Sequence, residues 1–78
     1  MNPQLLILLA DFIEQAEEDV HLDTALKEDL GMDSMDIVKL VMELNRTFDI
    51  KIHSSEIIPA YFDTIESLQL FIKRKQAE

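Results

Sequence analysis

Residues 30–52, LGMDSMDIVKLVMELNRTFDIKI, contain the clearest structural pattern in the chain. After the only glycine, apolar side chains recur at the three- and four-residue spacing of an amphipathic helix. Asp33 is expected to be the N-cap and Asp36 the third helical residue, an acidic form of the capping box. The stretch predicts a helix from about Asp33 to Phe48 in which Ser34, the first helical residue, has a free hydroxyl. Its predicted buried residues are Ile37, Leu40, Val41, Leu44 and Phe48.

A first helix is predicted before this stretch, separated from it by a long loop. Asn2 can cap the helix, Pro3 suits its first turn, and the apolar pattern fades near Glu18. Residues 19–33 have no clear periodicity, and recurring leucines suggest that this loop is packed against the core. The residues expected on the buried side of the helix are Leu5, Leu8, Leu9, Phe12, Ile13 and Ala16. The leucines of the loop are Leu22, Leu26 and Leu30.

Two more helices are predicted after residue 52, and FDIKI at 48–52 is interpreted as a loop because it has no partner strand. Ser54 or Ser55 could cap a short helix limited by Pro59, since an interior proline lacks the amide donor. Residues 63–66 (DTIE) resemble a capping box, which predicts a last helix running to about Lys75. Its predicted buried residues are Ile65, Leu68, Phe71 and Ile72, and its cationic end is Lys73, Arg74 and Lys75.

These segments predict one all-α domain, residues 1–78, built as a small four-helix bundle of three long helices and one short third helix. Sixteen acidic and seven basic residues give a net charge of −9, which excludes nucleic acid and favours basic protein surfaces as partners. The absence of cysteine excludes disulfides and thiolate metal sites. The apolar run 5–10 lacks a basic flank and ends at Asp11, so a soluble, cytoplasmic monomer without a membrane span is expected.

Ser34 has several possible roles on residue chemistry alone. The ordinary interpretation is that Ser34 is a surface serine without a specific role, because Asp33 takes the capping position. A hydrolase nucleophile is disfavoured because no G-x-S-x-G elbow surrounds Ser34, and His21 and His53 lie in loops. A metal site is disfavoured because the neighbouring aspartates lack the alternate-position spacing of a calcium loop.

The same stretch resembles the signature of acyl carrier proteins. That family has a Leu-Gly-x-Asp-Ser-Leu motif followed by a helix, and here the sequence LGMDSM at 30–35 departs only by Met35. The likeness extends over the whole chain, from a leucine-rich first helix through a long loop to short third and longer fourth helices. Asp36 favours the acyl type over the peptidyl type of carrier.

The resemblance implies that Ser34 carries a 4′-phosphopantetheine arm, flanked by Asp33. A phosphopantetheinyl transferase would attach the arm from coenzyme A, and the thiol of the arm would then hold acyl groups as thioesters. Acyl-loading and acyl-processing enzymes are the other implied partners, in fatty acid, lipid or polyketide-type biosynthesis. The protein itself would be a free-standing, non-catalytic carrier.

The second helix departs from the family at its expected docking surface. Acyl carrier proteins commonly have acids five, eleven and twelve residues after the serine, where this chain has Lys39, Asn45 and Arg46. Apolar residues on the same exposed side suggest a docking surface. The basic pair Lys39 and Arg46 argues against the housekeeping partners of fatty acid synthesis and for a dedicated pathway. The predicted partner-binding residues are Met35, Asp36, Val38, Lys39, Met42 and Arg46. A carrier for an aminoacyl group, and an unmodified helical interaction module, remain the alternatives.

Overall fold

The computed structural model describes all 78 residues and contains four α-helices, two short 3₁₀ helices and no strands. Only one isolated backbone bridge, between Ala25 and Thr64, resembles sheet pairing. The all-α class and the four-helix architecture are therefore confirmed. The helices are α1 (Pro3–Ile13), α2 (Ser34–Phe48), α3 (Pro59–Phe62) and α4 (Ile65–Gln76), with 3₁₀ helices at Glu17–Asp19 and Ser54–Glu56.

Helix α1 begins as predicted but ends earlier. Asn2 Oδ1 accepts hydrogen bonds from Gln4 N at 2.8 Å and Leu5 N at 3.2 Å, which satisfies the free amides of the first turn. Glu14 adopts a left-handed conformation with φ of 56°, and this closes the helix. The predicted extension toward Glu18 is wrong because the left-handed conformation of Glu14 ends the helix. Ala16, expected on the buried side, is consequently exposed.

The long loop between α1 and α2 is attached to the beginning of α4 by its backbone. Leu26 N donates to Asp63 O at 3.0 Å, and Thr24 O accepts from Ile65 N at 3.0 Å. Leu26 is fully buried, which confirms that the loop packs against the core. Val20 and Met32 are also buried, although the leucine spacing did not indicate them.

Helix α2 agrees with its prediction in both its bounds and its buried side. All five residues expected to be buried are buried. Asp49, with φ of 52°, ends the helix in a left-handed conformation. The following FDIKI stretch is a loop, as predicted, and Ile52 N donates to Asn45 Oδ1 at 2.9 Å instead of to a neighbouring strand.

The region around α3 differs from the prediction. Neither Ser54 nor Ser55 caps a helix, because the Glu56 carboxylate accepts the His53 amide at 2.9 Å and thereby caps the 3₁₀ helix that contains them. Pro59 does not limit the third helix but begins it, where the missing amide proton is not needed. The short third helix is therefore present, shifted to the other side of the proline.

The N-cap of helix α4 is Thr64, one residue later than the predicted Asp63. Thr64 Oγ1 accepts from Ser67 N at 3.2 Å, and Ser67 Oγ accepts from Thr64 N at 3.0 Å. The expected box at Asp63 and Glu66 is wrong because Asp63 ends α3. All four apolar residues predicted to be buried on α4 are buried, and Lys75 is buried with them.

One hydrophobic core joins the elements. Seventeen buried apolar side chains from all four helices and the connecting loops form a single cluster. No buried side-chain nitrogen or oxygen atom lacks a hydrogen-bond partner. None of the helices is both long and apolar enough to cross a membrane. The first turn of α2, the start of α3 and the long loop meet at one end of this core, where the candidate site lies.

Candidate functional site

Ser34 is the first residue of α2 and is exposed, with no hydrogen bond from its hydroxyl. The neighbouring aspartates form the helix cap: Asp33 Oδ1 accepts from Asp36 N at 2.9 Å, and Asp36 Oδ2 accepts from Asp33 N at 3.2 Å. The backbone amides of Ser34 and Met35 donate to no acceptor within the chain. Free amides at a helix N-terminus suit a phosphate group, because the helix dipole favours negative charge there.

The turn before Ser34 is fixed by Gly31 and Met32. Gly31 has φ of 69°, a conformation that glycine adopts without the strain of a side chain. Met32 is buried and donates its amide to Leu26 O at 3.1 Å, which anchors the turn on the core. Met32 and Ile37 occupy the two positions of a hydrophobic staple and are both buried. This pairing was visible in the sequence as apolar residues on either side of the capping box.

A cavity of about 430 Å³, here called the serine groove, opens beside Ser34 between α2, α3 and the long loop. Its wall on α2 includes Ile37 and Val38, and charged side chains at Lys27, Glu28 and Asp63 also line it. Its opposite wall is Ile57, Ile58, Pro59 and Phe62. A mainly apolar cleft next to an attachment residue can hold an apolar chain that is tethered there.

The exposed side of α2 carries the six residues predicted to bind partners, but they do not share one environment. Met35 and Met42 are each 65% exposed, and Val38 is 50% exposed and faces the serine groove. Asp36 is only partly exposed because it belongs to the cap. Lys39 and Arg46 are exposed.

A second cleft, of about 720 Å³, separates α2 from α1 and is lined by Lys39, Met42 and Arg46. Arg46 is paired with Glu43, whereas Lys39 has no ion pair. Ile7 of α1, which is 58% exposed, lines the same cleft. Its exposure was foreseeable, because Ile7 falls outside the buried side of the α1 pattern. The two basic residues and Met42 therefore lie apart from the serine groove.

The remaining polar clusters give no competing site. His21 and His53 are both exposed. No group of three or more histidine, cysteine, aspartate or glutamate side chains is arranged to hold a metal ion.

Comparisons with known proteins agree with this geometry. A family model described as a phosphopantetheine attachment site matches residues 3–71. The acyl carrier protein of Amoebophilus asiaticus is 31% identical over 78 residues, covering 100% of this chain and 95% of that protein. The acyl carrier protein of Onion yellows phytoplasma is 36% identical over 67 residues, which are 86% of each chain.

Solved structures agree in fold. The solution structure of a holo acyl carrier protein from Nitrosomonas europaea matches with a TM-score of 0.81 and 24% identity, covering 100% of both chains. A chain in a crystal structure described as an FAD-dependent dehydrogenase matches with a TM-score of 0.70 and 30% identity, covering 87% of this chain and 96% of that one.

The family match spans most of the chain, and a curated relative aligns with it from end to end. The residues at the start of α2 fit the cofactor, since they offer a free hydroxyl and two free amides beside an apolar groove. The prosthetic group is 4′-phosphopantetheine, whose thiol supplies the thioester chemistry. The chain belongs to the acyl carrier protein family.

Proposed function

We propose that Ser34 is the residue that receives the phosphopantetheine arm. The observation that carries this proposal is the exposed, unbonded Ser34 hydroxyl at the first position of a capped helix. Asp33 and Asp36 satisfy each other's amides, so the Ser34 side chain is not needed to stabilise the helix. The free amides of Ser34 and Met35 can stabilise the phosphodiester once it is formed.

The attachment is a phosphoryl transfer catalysed by a separate transferase. The Ser34 hydroxyl oxygen bonds to the phosphorus next to pantetheine in coenzyme A, and the pyrophosphate bond breaks. Adenosine 3′,5′-bisphosphate leaves, and the hydroxyl proton passes to a base of the transferase. This chain supplies the acceptor oxygen and its orientation, and its role in catalysis ends there.

The loaded protein presents acyl thioesters to enzymes of fatty acid, lipid or polyketide-type biosynthesis. Tethering raises the effective concentration of the acyl group at each enzyme that binds the carrier. The serine groove is suited to hold the acyl chain between encounters, because burying each methylene is favourable by about 0.8 kcal/mol. An apolar groove supports an acyl cargo over the alternative of a polar aminoacyl group.

Partner enzymes are proposed to dock on the exposed side of α2. The apolar contacts there are Met35, Val38 and Met42, and the basic residues are Lys39 and Arg46. This combination favours partner enzymes whose own docking surfaces are not simply basic, and hence a dedicated pathway. We also propose that residues 1–78 form a single carrier domain.

The attachment proposal is tested by incubation with coenzyme A and a broad-specificity phosphopantetheinyl transferase, followed by intact-mass measurement. The natural protein should gain the mass of one arm, and Ser34→Ala should gain none. Ser54→Ala is the matched control, because Ser54 is also an exposed serine that opens a short helix. An arm on the Ser34→Ala protein would contradict the assignment. A natural protein that gains no arm would favour the unmodified interaction module.

A further inference from the structure

A partly buried ion pair joins the last turn of α4 to the segment before α3. Lys75 Nζ lies 3.0 Å and 3.2 Å from the two carboxylate oxygens of Glu56, and 3.3 Å from Glu78 Oε1. The Lys75 side chain is only 6% exposed and that of Glu56 25%. An ammonium group removed from water to this extent depends on its partners, because desolvation penalises an unpaired charge. The ion pair therefore holds Lys75 and Glu56 in one position relative to each other.

Glu56 also fixes the backbone of its own segment. Its Oε1 accepts from His53 N at 2.9 Å, and its main-chain oxygen accepts from Ile58 N at 2.9 Å. The Ile58 carbonyl accepts in turn from Phe62 N at 3.1 Å. Hydrogen bonds therefore run without interruption from the end of α4, through Glu56, to the first turn of α3.

The other end of α3 has a different attachment. The Tyr61 ring stacks on Phe71 with centroids 4.3 Å apart, and Phe62 meets the same ring edge-on at 5.9 Å. The Ser67 hydroxyl, which donates to Thr64 O at 2.8 Å, also lies 3.4 Å from Tyr61 O. A helix of four residues is too short to be stable alone, so these tertiary contacts determine where α3 lies.

Between the two attachments lie Ile57, Ile58 and Pro59, which form part of the wall of the serine groove facing α2. We propose that Glu56 and Lys75 are positioning residues whose ion pair sets the distance of this wall from α2. The width of the groove beside Ser34, and with it the room for an apolar cargo, then depends on a contact made outside the groove. Only the statement about cargo rests on the proposed function.

The position of the wall can be tested on the protein without an arm, by hydrogen exchange measured with NMR. Glu56→Gln keeps an acceptor for the His53 amide, and Lys75→Met keeps the apolar stem. The double variant leaves no unpaired charge in the buried contact, since Glu78 is exposed. Exchange at the Tyr61 and Phe62 amides should accelerate about tenfold in the variants, while α2 core amides change less than about twofold. Lys73→Met is the control, because Lys73 is exposed on the same helix and has no ion pair.

Unchanged exchange in α3, or equal acceleration in α2 and α3, would overturn the positioning role in favour of a general effect on stability. The cargo statement has a second measurement, the rate at which hydroxylamine cleaves an octanoyl thioester on the arm. The double variant should be cleaved several-fold faster than the natural protein and the Lys73→Met control, and equal rates would overturn the statement. If Ser34 takes no arm, the proposed function is wrong, and the exchange measurement still decides the positioning role.

Discussion

At the scale of the residue, the sequence Asp-Ser separates two tasks that one side chain could not perform together. A serine at the N-cap would use its hydroxyl oxygen to accept a backbone amide. Asp33 takes that position, and Ser34, one residue later, keeps its hydroxyl unbonded and exposed. The carboxylate of Asp36 completes the cap from the third helical position. The order of these residues, rather than their mere presence, makes Ser34 available.

The cap gives a prediction about Asp33. Asp33→Ala should lower the stability of the protein by about 1 kcal/mol, because Asp36 N loses its acceptor. For a domain of this size, that loss corresponds to a fall of about 4–8 °C in the thermal midpoint. Asp33→Asn should retain most of the stability, since the amide oxygen can still cap. Circular dichroism melts of the three proteins measure this, and equal losses for both variants would contradict the capping role.

At the scale of the element, the sequence pattern was sufficient for the longest helix, α2. The five buried residues of α2 recur through four turns, so periodicity alone identifies them. Helix α3 has four residues and no such pattern. At the start of α4, the capping box forms between Thr64 and Ser67 instead of the expected Asp63 and Glu66, and this depends on where Asp63 lies. Its carbonyl accepts from Leu26 N of the long loop, a tertiary contact that no local rule contains.

Prediction of the site was limited in the same way, to features formed by residues close together in sequence. The free serine at the start of a capped helix could be predicted because the residues involved are adjacent in sequence. The serine groove could not, because its walls come from three segments that only the fold brings together. Lys75 was expected at the cationic end of α4, yet it is buried against Glu56, nineteen residues earlier in the chain. The helical period does place Lys75 on the buried side of α4, three residues after Ile72, whereas Lys73 lies off that side. What the local sequence could not give is the partner, because Glu56 is brought to Lys75 only by the fold.

The same ion pair predicts a specific dependence of stability on pH. The hydrogen bond from His53 N, followed by that from Lys75, holds the pKa of Glu56 below its ordinary value of 4.5. The hydrogen bond to Glu56 raises the pKa of Lys75 above its ordinary value of 10.5. Stability from Glu56 is complete above pH 4.5 and is lost as the pH falls through the lowered pKa. Stability from Lys75 is complete below pH 10.5 and is lost as the pH rises through the raised pKa.

The natural protein should therefore melt above Glu56→Gln at neutral pH, and the difference should disappear in acid. Protonation makes Glu56 resemble glutamine, so the two melting curves converge as the pH falls below 4.5. Thermal melts of both proteins from neutral to acidic pH give the difference between their midpoints. The titration of the other acids is common to both proteins and cancels in that difference. A gap that stays constant from neutral to acidic pH would show that the Glu56 charge does not stabilise the fold.

At the scale of the whole molecule, the negative charge is concentrated in one part of the chain. Residues 14–36 carry nine acids and a single base, Lys27. Residues 37–78 carry six acids and six bases, so the second half is formally neutral. The acids of the first part are Glu14, Glu17, Glu18, Asp19, Asp23, Glu28, Asp29, Asp33 and Asp36. Electrostatic repulsion in the folded state is therefore expected mainly within the long loop and its borders.

This distribution predicts that salt stabilises the protein. The thermal midpoint should rise with sodium chloride or magnesium chloride, because screening weakens repulsion among exposed acids. Glu17→Gln, Glu18→Gln and Asp19→Asn combined should raise the midpoint at low salt and flatten its rise. Glu66→Gln, which removes an exposed acid from the neutral second half, should raise the midpoint less per charge removed. A midpoint that is flat from low to physiological ionic strength would contradict the prediction.

The last prediction concerns how this charge pattern selects partners. Helix α2 carries Lys39 and Arg46 on its exposed side, next to Met42, although the chain as a whole has a charge of −9. Charges at the rim of an interface mainly change the association rate and its salt dependence. An apolar anchor contributes more to affinity, so Met42→Ala should weaken docking by about 1 kcal/mol or more if it is a hot spot.

Lys39→Glu combined with Arg46→Glu should consequently improve loading by a fatty-acid-synthase transferase with a basic docking surface, and should impair the cognate loading enzyme. Both rates are measured on arm-bearing protein at two salt concentrations, after circular dichroism shows that the helices are intact. Lys51→Glu with Lys73→Glu is the matched control, because it reverses two exposed basic residues that lie outside α2 and form no ion pair. Because that control changes the net charge equally, an effect confined to the α2 reversal would be due to the location of the charges. If both double variants behave like the natural protein, Lys39 and Arg46 are ordinary solvated side chains, and the case for a dedicated pathway loses its main support.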